Sequence, residues 1–412
     1  MRRVGKSVIM RQIMEFVGQN TPPKNICQAS FDEELVNRNP DILDHIISSV
    51  IAGVPKDNSG RIFFFIDEIQ FVKNWQHILK RYYDRQPEIK FIISGSSSLF
   101  IQKKTTESLS GRVIEFAVQP LSFWEYLLLS NQDSASAQSL SVINVDLENF
   151  DESRVMSALE DIIIAAPNIS DKFDEYLLRG QFPEVVSWPE EEARNYIRNS
   201  TYKKTLLYDI PRLFQIRRPD ELAFLYNILM RESANLLEIN NLASSAGINR
   251  NTIGSYLGYL KEALLHLQLP NSTSSAREER RLLRKGYVPS PNFSAAFLKL
   301  SQGHPLWQQE AGHLAETFIA GVLSSRFGDS VRFYRKDDVE VDFIVSSVPG
   351  RFEGAIMAEV KYSDSIQRRE LKNLLRLAEK TRARSVFCFT RNTVKVEKEG
   401  KLEVIHIPAW AF

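Results

Sequence analysis

Cysteine is nearly absent: Cys27 and Cys388 stand alone among 412 residues. Two distant thiols exclude a disulfide framework and a thiolate metal site, and they fit a reducing compartment. Net charge is equally scarce, at +1 from 52 basic and 51 acidic residues. That balance excludes a globally basic nucleic-acid coat and leaves any such surface local. Long apolar runs are missing too, since none approaches the roughly 18 residues of a membrane helix. No charged-then-apolar leader opens the chain, so a cytoplasmic protein with no membrane partner is expected. The histidines His45, His77, His266, His304, His313 and His406 form no pair at ligand spacing. No serine or cysteine has a triad setting, which sets peptide hydrolysis aside.

What is present is a globular composition, 43% apolar and 25% charged. At about 150 residues per domain, the length predicts two to four domains. Residues 8–17 have helical apolar spacing, and 25–31 read as a strand. A helix at 42–54 precedes Arg61-Ile62-Phe63-Phe64-Phe65-Ile66, a continuous apolar run closed by Asp67-Glu68. Such a run suits a strand buried on both faces of a parallel sheet. A helix at 72–85 and strands at 89–94 and 113–118 complete this block. The Ser-, Asn- and Gln-rich stretch 131–141 marks a boundary, after which 147–214 reads as helical throughout. The fold class is α/β and multidomain: residues 1–130, 131–215, 216–290 and 291–412.

The chain opens on Met1-Arg2-Arg3-Val4-Gly5-Lys6-Ser7, the back half of the phosphate-binding pattern G-x-x-x-x-G-K-[ST]. In that pattern backbone N–H groups wrap phosphates at a helix N-terminus, the lysine reaches the outer phosphates and the hydroxyl binds Mg²⁺. Asp67 and Glu68, about 60 residues on, end an apolar strand as a Mg²⁺-holding aspartate and a water-polarising glutamate do. Gly5, Lys6, Ser7, Asp67 and Ser94 are the candidate contacts to ATP and Mg²⁺.

The chain resembles prokaryotic AAA-type ATPases fused to a C-terminal domain of unknown function with a restriction-endonuclease-like core. The resemblance rests on the P-loop half, Phe65-Ile66-Asp67-Glu68-Ile69-Gln70, Ile93-Ser94-Gly95-Ser96-Ser97, Leu109-Ser110-Gly111-Arg112 and Pro120-Leu121-Ser122-Phe123-Trp124-Glu125-Tyr126. It continues through Tyr176-Leu177-Leu178-Arg179-Gly180-Gln181-Phe182-Pro183 and covers nearly the whole chain, with Gln181 where the group tends to carry a second glycine. It implies ATP hydrolysis, a helical lid, a γ-phosphate sensor at Ser94 and an arginine finger or sensor at Arg112. An arginine paired with a nearby acid fits Arg112 as well. A finger acting in trans requires a homo-oligomer. In this group the strand before the P-loop lies between the strand ending at Ser94 and that at 113–118. Without it, unpaired buried groups cost about 1 to 3 kcal/mol each, so a truncated N-terminus and weak nucleotide binding by this chain are expected.

Near the C-terminus, Glu340-Val341-Asp342-Phe343-Ile344-Val345 alternates, which predicts Val341, Phe343 and Val345 on one face and Glu340 with Asp342 on the other. After the turn at 346–354, Glu359 and Lys361 share a strand face and are predicted beside Asp342. This is the D…E-x-K pattern of restriction-like nucleases, with two carboxylates on a divalent metal and a lysine against the phosphodiester. Glu316, on a helix at 312–327, supplies an additional acid in the group it resembles. The expected centre is therefore Lys361 with Glu316, Asp342 and Glu359 as metal ligands, or a nuclease fold without the chemistry.

Residues 239–246 and 249–264 have helix-turn-helix spacing, and the turn at 270–275 between two apolar segments predicts a winged helix. The stripe Ile253, Leu257, Leu260 and Leu264 leaves Arg250, Asn251, Thr252, Ser255, Tyr256 and Tyr259 outward, for DNA or for domain packing. Arg277, Arg280, Arg281, Arg284 and Lys285 extend the basic side. Together these features predict an ATPase acting on, or regulated by, DNA. The other reading is a non-catalytic DNA- or partner-binding regulator that uses nucleotide as a switch.

Overall fold

The computed structural model describes the chain apart from residues 1–2, 56–59, 96–108, 110, 131–137, 139–144, 273–282, 349 and 401, and the side chain of residue 33. It divides into two compact units, Met1–Gln119 and Pro120–Phe412.

In the first unit, β1 (Ile26–Ser30), β2 (Ile62–Asp67) and β3 (Ile89–Ile93) form a parallel sheet in that order. Phe64, Phe65 and Ile66 of β2 are almost wholly buried, as a central parallel strand requires. Helices α1 (Lys6–Gly18), α2 (Ile42–Gly53) and α3 (Trp75–Arg85) accompany the strands. Leu43 and Ile47 of α2 join Trp75 and Leu79 of α3 in the core with Phe64 and Ile66. The apolar residues of α1 behave otherwise: Met10 is buried, whereas Val8, Ile9, Ile13 and Phe16 are exposed. The strand expected at 113–118 does not form, and Ile114 and Phe116 are 81% and 84% exposed. A strand exists through its ladder, and among the described residues no neighbour pairs with this segment.

In the second unit, the segments expected as lid, helix-turn-helix and C-terminal domain share one core. Phe123, Tyr126, Phe173, Tyr176 and Phe318 pack together there, with ring centroids 5.1–6.3 Å apart between neighbours. Gly180 lets these rings close, since a Cβ at that position would lie 2.7 Å from Tyr176 and 2.8 Å from Tyr126. The residues around it are tied down by a buried polar network. Asn292 Nδ2 donates to the carbonyls of Tyr176 and Leu177, Asn292 Oδ1 accepts from Gln181 N, and Ser290 Oγ donates to Gln181 Oε1. The 176–183 motif thus has a packing role here.

Helices α4 (Pro219–Arg231), α5 (Ile239–Ala246) and α6 (Arg250–Glu262) accompany a small antiparallel sheet. Its strands are β4 (Asn235–Leu236), β5 (Leu267–Pro270) and β6 (Arg284–Tyr287), in the order β4-β6-β5. A six-stranded sheet follows, built from β7 (Val331–Lys336), β8 (Val339–Val345), β9 (Ile356–Lys361), β10 (Ser385–Thr390), β11 (Lys395–Glu399) and β12 (Leu402–Pro408). Its order is β11-β12-β10-β9-β8-β7. Strands β11 and β12 carry Lys395, Glu397, Lys398, Glu399 and Glu403, a charge density that gives the sequence little apolar signal there.

Helix α7 (Trp307–Phe327) packs on one face of this sheet through Phe318, Ile319 and Leu323. Helix α8 (Lys372–Thr381) covers the other through Leu374, Leu377 and Ala378. The predicted alternation along β8 fails at one place. Val331 pairs with Val345 and Arg332 with Ile344, but Tyr334 pairs with Val341, so Asp342 and Phe343 both oppose Phe333. This is a β-bulge, which places two successive side chains on one side and re-aims them. Val341 accordingly packs with α8, while Phe343 and Val345 pack with α7.

Candidate functional sites

The first site grows from strand ends. In parallel sheets ligands bind beyond the carboxyl ends of the strands, and Ser30, Asp67 and Ser94 mark those ends here. Gly5 takes φ 90°, a left-handed conformation that costs glycine little, and turns the chain into α1 at Lys6. Ser7, in the first turn of that helix, donates its hydroxyl to Asp67 Oδ2 at 2.6 Å. The structure therefore brings together two residues 60 positions apart that the sequence assigns to the same Mg²⁺. Glu68 adopts φ 53° and its N–H donates to Asp67 Oδ1 at 3.0 Å; its own carboxylate accepts from Gln70.

Ser94 N donates to Ile66 O and Ser94 O accepts from Ile69 N, which fixes the end of β3 beside Asp67 and Glu68. Its hydroxyl is buried and has no hydrogen-bond partner among the described residues. An orphaned hydroxyl at this edge and a Ser7–Asp67 contact are what a magnesium-nucleotide site asks of its residues, so the first site fits that group. Arg112 is placed otherwise. Its guanidinium pairs with Asp84 Oδ1 at 2.8 Å, near the end of α3.

The second site gathers on β8, β9, α7 and β6. Pairing between β8 and β9 ends at Phe343 opposite Ala358, and Asp342 lies in the fork beyond. Its Oδ2 accepts from Val360 N at 3.0 Å, while Glu359 Oε2 lies 3.4 Å from Asp342 N. Lys361 Nζ pairs with Glu359 Oε1 at 2.8 Å. Ala358 packs towards α7 and Met357 towards α8, so Glu359 and Lys361 belong to the α8 side. Asp342 joins them across the fork rather than by the single shared face expected, because the bulge turned it.

Lys285, expected to extend the basic side of the helix-turn-helix, is instead 4% exposed and is the centre of this cluster. Its ammonium lies 2.7 Å from Glu316 Oε1, 3.0 Å from Asp342 Oδ1 and 3.3 Å from Glu340 Oε1. Tyr287, two residues along the same strand face, donates its hydroxyl to Glu316 Oε1 at 2.7 Å. Neither Lys285, Tyr287 nor Glu340 was singled out for the site. The available signal was that Lys285 shares the strand face of an aromatic residue.

Burial and the charge of Asp342 push the Glu316 carboxyl up to about 7. The same two causes push Glu359 up to about 8. Burial opposes ionisation of Asp342 as well, but Lys285, the Val360 N–H and Lys361 outweigh it and hold the carboxyl below its usual range. Among the described residues no group of three or more His, Cys, Asp and Glu side chains could hold a metal ion. Glu316, Asp342 and Glu359 thus do not fit the expected divalent ion in this arrangement, because an ammonium stands where two of them converge.

The helix expected to serve DNA contact or domain packing is partly turned inward. Arg250, Asn251 and Ser255 of α6 are exposed and Thr252 is half-buried. Tyr256 is buried, with its hydroxyl 3.4 Å from Glu221 Oε2, and Tyr259 stacks on Phe214 at 4.1 Å between centroids. Leu264, expected in the buried stripe, is 41% exposed because α6 ends at Glu262 and Leu264 takes φ 56°. Arg277, Arg280 and Arg281 lie outside the described residues.

Residues 1–127 match the family model of an AAA domain. Residues 170–302 and 311–410 match two domains of unknown function, DUF8612 and DUF4143. The N-terminal segment is therefore similar to AAA-type P-loop domains, a class that binds nucleotide, typically with Mg²⁺. The chain is also 24% identical over 423 residues to an uncharacterized protein of Haemophilus influenzae, spanning 99% of this chain and 92% of that one. It is 25% identical over 381 residues to the uncharacterized protein MJ1544 of Methanocaldococcus jannaschii, spanning 90% and 76% of the two chains. No described helix is long and apolar enough to cross a membrane.

Proposed function

We propose that this protein binds and hydrolyses ATP and couples that cycle to DNA. The observation that carries the reading is the 2.6 Å hydrogen bond from Ser7 to Asp67, which joins the two halves of a nucleotide site. Ser7 and Asp67 would hold the Mg²⁺ of the nucleotide, which neutralises phosphate charge when bound. Lys6 draws on the outer phosphates, Glu68 orients water, and the free hydroxyl of Ser94 faces the transferred phosphate. Arg112 serves a neighbouring subunit of a homo-oligomer after exchanging Asp84 for phosphate.

The DNA part rests on the helix-strand-helix-helix-strand-strand order of α4 to β6, which is that of a winged helix, and on exposed Arg250, Asn251 and Ser255. The order α7, β7, β8, β9, α8, β10 around Asp342, Glu359 and Lys361 is that of a restriction-like core. A non-catalytic regulator that uses nucleotide as a switch is the second reading, favoured by the inward turn of Tyr256 and Tyr259, which narrows the DNA-facing surface.

Turnover separates the two. Steady-state ATP hydrolysis is expected to drop about 100-fold or more in Lys6→Ala and Glu68→Gln, the scale of a lost catalytic base. Equal turnover in parent and variants would sink the site. ATP binding without turnover in the parent would leave the switch.

A further inference from the structure

We propose that Lys285 is the resident cation of the carboxylate cluster at the β8–β9 fork, standing in the place of a divalent metal. An ammonium has three N–H donors and no acceptor. Those of Lys285 match three carboxylate oxygens, on Glu316, Asp342 and Glu340, at 2.7, 3.0 and 3.3 Å. A divalent ion would need oxygens at about 2.0 to 2.6 Å from the same point and cannot share it with Nζ.

The lysine is not a loose surface side chain that happens to fold over. It is 4% exposed, and its strand is anchored on both flanks. A Cβ on Gly286 would lie 2.7 Å from Leu237, so β6 is pressed against its neighbour. Tyr287 is bound to Glu316. The paired strand β5 continues into Asn271, which exchanges two hydrogen bonds with the backbone of Arg335, while Ser272 N donates to Phe333 O. The open edge of β7 is thereby used to fix the hairpin that delivers Lys285. The β8 bulge supplies the other half of the arrangement by turning Asp342 into the fork. The remaining acid, Glu359, already has Lys361. Each cation position of the cluster is filled from within the chain, and the cluster holds the small sheet to the large one instead of activating water.

The inference rests on the restriction-like reading only for the kind of ion expected, and metal binding is tested apart from cleavage. The probe is Mn²⁺ without nucleotide, followed by electron paramagnetic resonance and calorimetry on the full chain. Wild-type protein and Asp342→Asn are expected to bind Mn²⁺ identically, with no ion lost on substitution. Lys285→Met is expected to gain one bound Mn²⁺ per chain, and Lys285→Met with Asp342→Asn to lose it. Should Lys285→Met fail to fold in chelator, Lys285→Met with Glu316→Gln removes one buried charge and keeps Asp342 and Glu359. That pair is expected to gain an ion with at least 10-fold tighter binding than wild type. Mn²⁺ on the wild-type chain that Asp342→Asn removes would overturn the proposal, and so would folded Lys285 variants that gain no ion. A gained ion with intact plasmid leaves the inference standing and removes the restriction-like chemistry.

Discussion

At the scale of single residues, the carboxylates of the fork are set by what surrounds them. Glu316 and Glu359 ionise only near 7 and near 8, against an ordinary 4.5, because burial and the charge of Asp342 hold their protons on. An acid whose folded pKa exceeds its unfolded value keeps an extra proton when folded, so the folded state loses stability as pH rises from the unfolded value through the folded one. Asp342, held low, titrates below that window. The thermal midpoint of the Pro120–Phe412 unit is therefore expected to fall between pH 5 and pH 8.5, and to fall less in Glu359→Gln. A midpoint that rises over this range, or an unchanged slope in the variant, counts against the proton assignment. Calorimetry at constant ionic strength across the range reads it directly.

Among secondary-structure elements, the decisive features are a bulge and a borrowed edge. The alternation Glu340-Val341-Asp342-Phe343 predicts one face correctly only if β8 pairs regularly, and one extra residue opposite Phe333 is enough to move Asp342. Nothing in the local pattern announces it, since Asp342 and Phe343 are each acceptable in a regular strand. The edge of β7 would otherwise present unpaired groups, and Asn271 and Ser272 occupy part of it. Asn271 is 7% exposed, and both of its side-chain hydrogen bonds are 2.8 Å. Asn271→Ala leaves an N–H and a carbonyl of Arg335 without these partners, and about 1 to 3 kcal/mol of stability is expected to be lost in urea unfolding. A loss within about 0.5 kcal/mol, the range of an ordinary surface substitution, would remove the anchoring role.

For the whole molecule, the chain divides into two compact units, Met1–Gln119 and Pro120–Phe412. Separate cores melt separately unless an interface couples them. Two calorimetric transitions are expected. ATP at 100 times its dissociation constant should stabilise only Met1–Gln119, by about 2.7 kcal/mol, and raise its transition alone. Lys6→Ala should abolish the shift, and a single transition that moves as one would show that the units unfold together.

The parallel strands β1 to β3 and the helices around them were legible because long apolar runs and period-3.6 spacing depend on near neighbours alone. The Gly-Lys-Ser and Asp-Glu patterns are local as well, and the fold brings Ser7 of the first to Asp67 of the second. The segment at 113–118 has the composition of a strand but no ladder, because a ladder is made by a partner and not by the segment itself. Lys285 is the sharpest case. Its neighbours Arg280, Arg281 and Arg284 make it look solvated, and charge alone cannot tell an exposed lysine from one facing two buried acids and a half-buried third. The sequence by itself determined the apolar strands of the first sheet, the Gly-Lys-Ser and Asp-Glu patterns, and which acids stand near one another on β8 and β9. Only tertiary structure decided that the acids meet a lysine, because the bulge, the fork and the anchored hairpin are pairings between strands far apart in the chain.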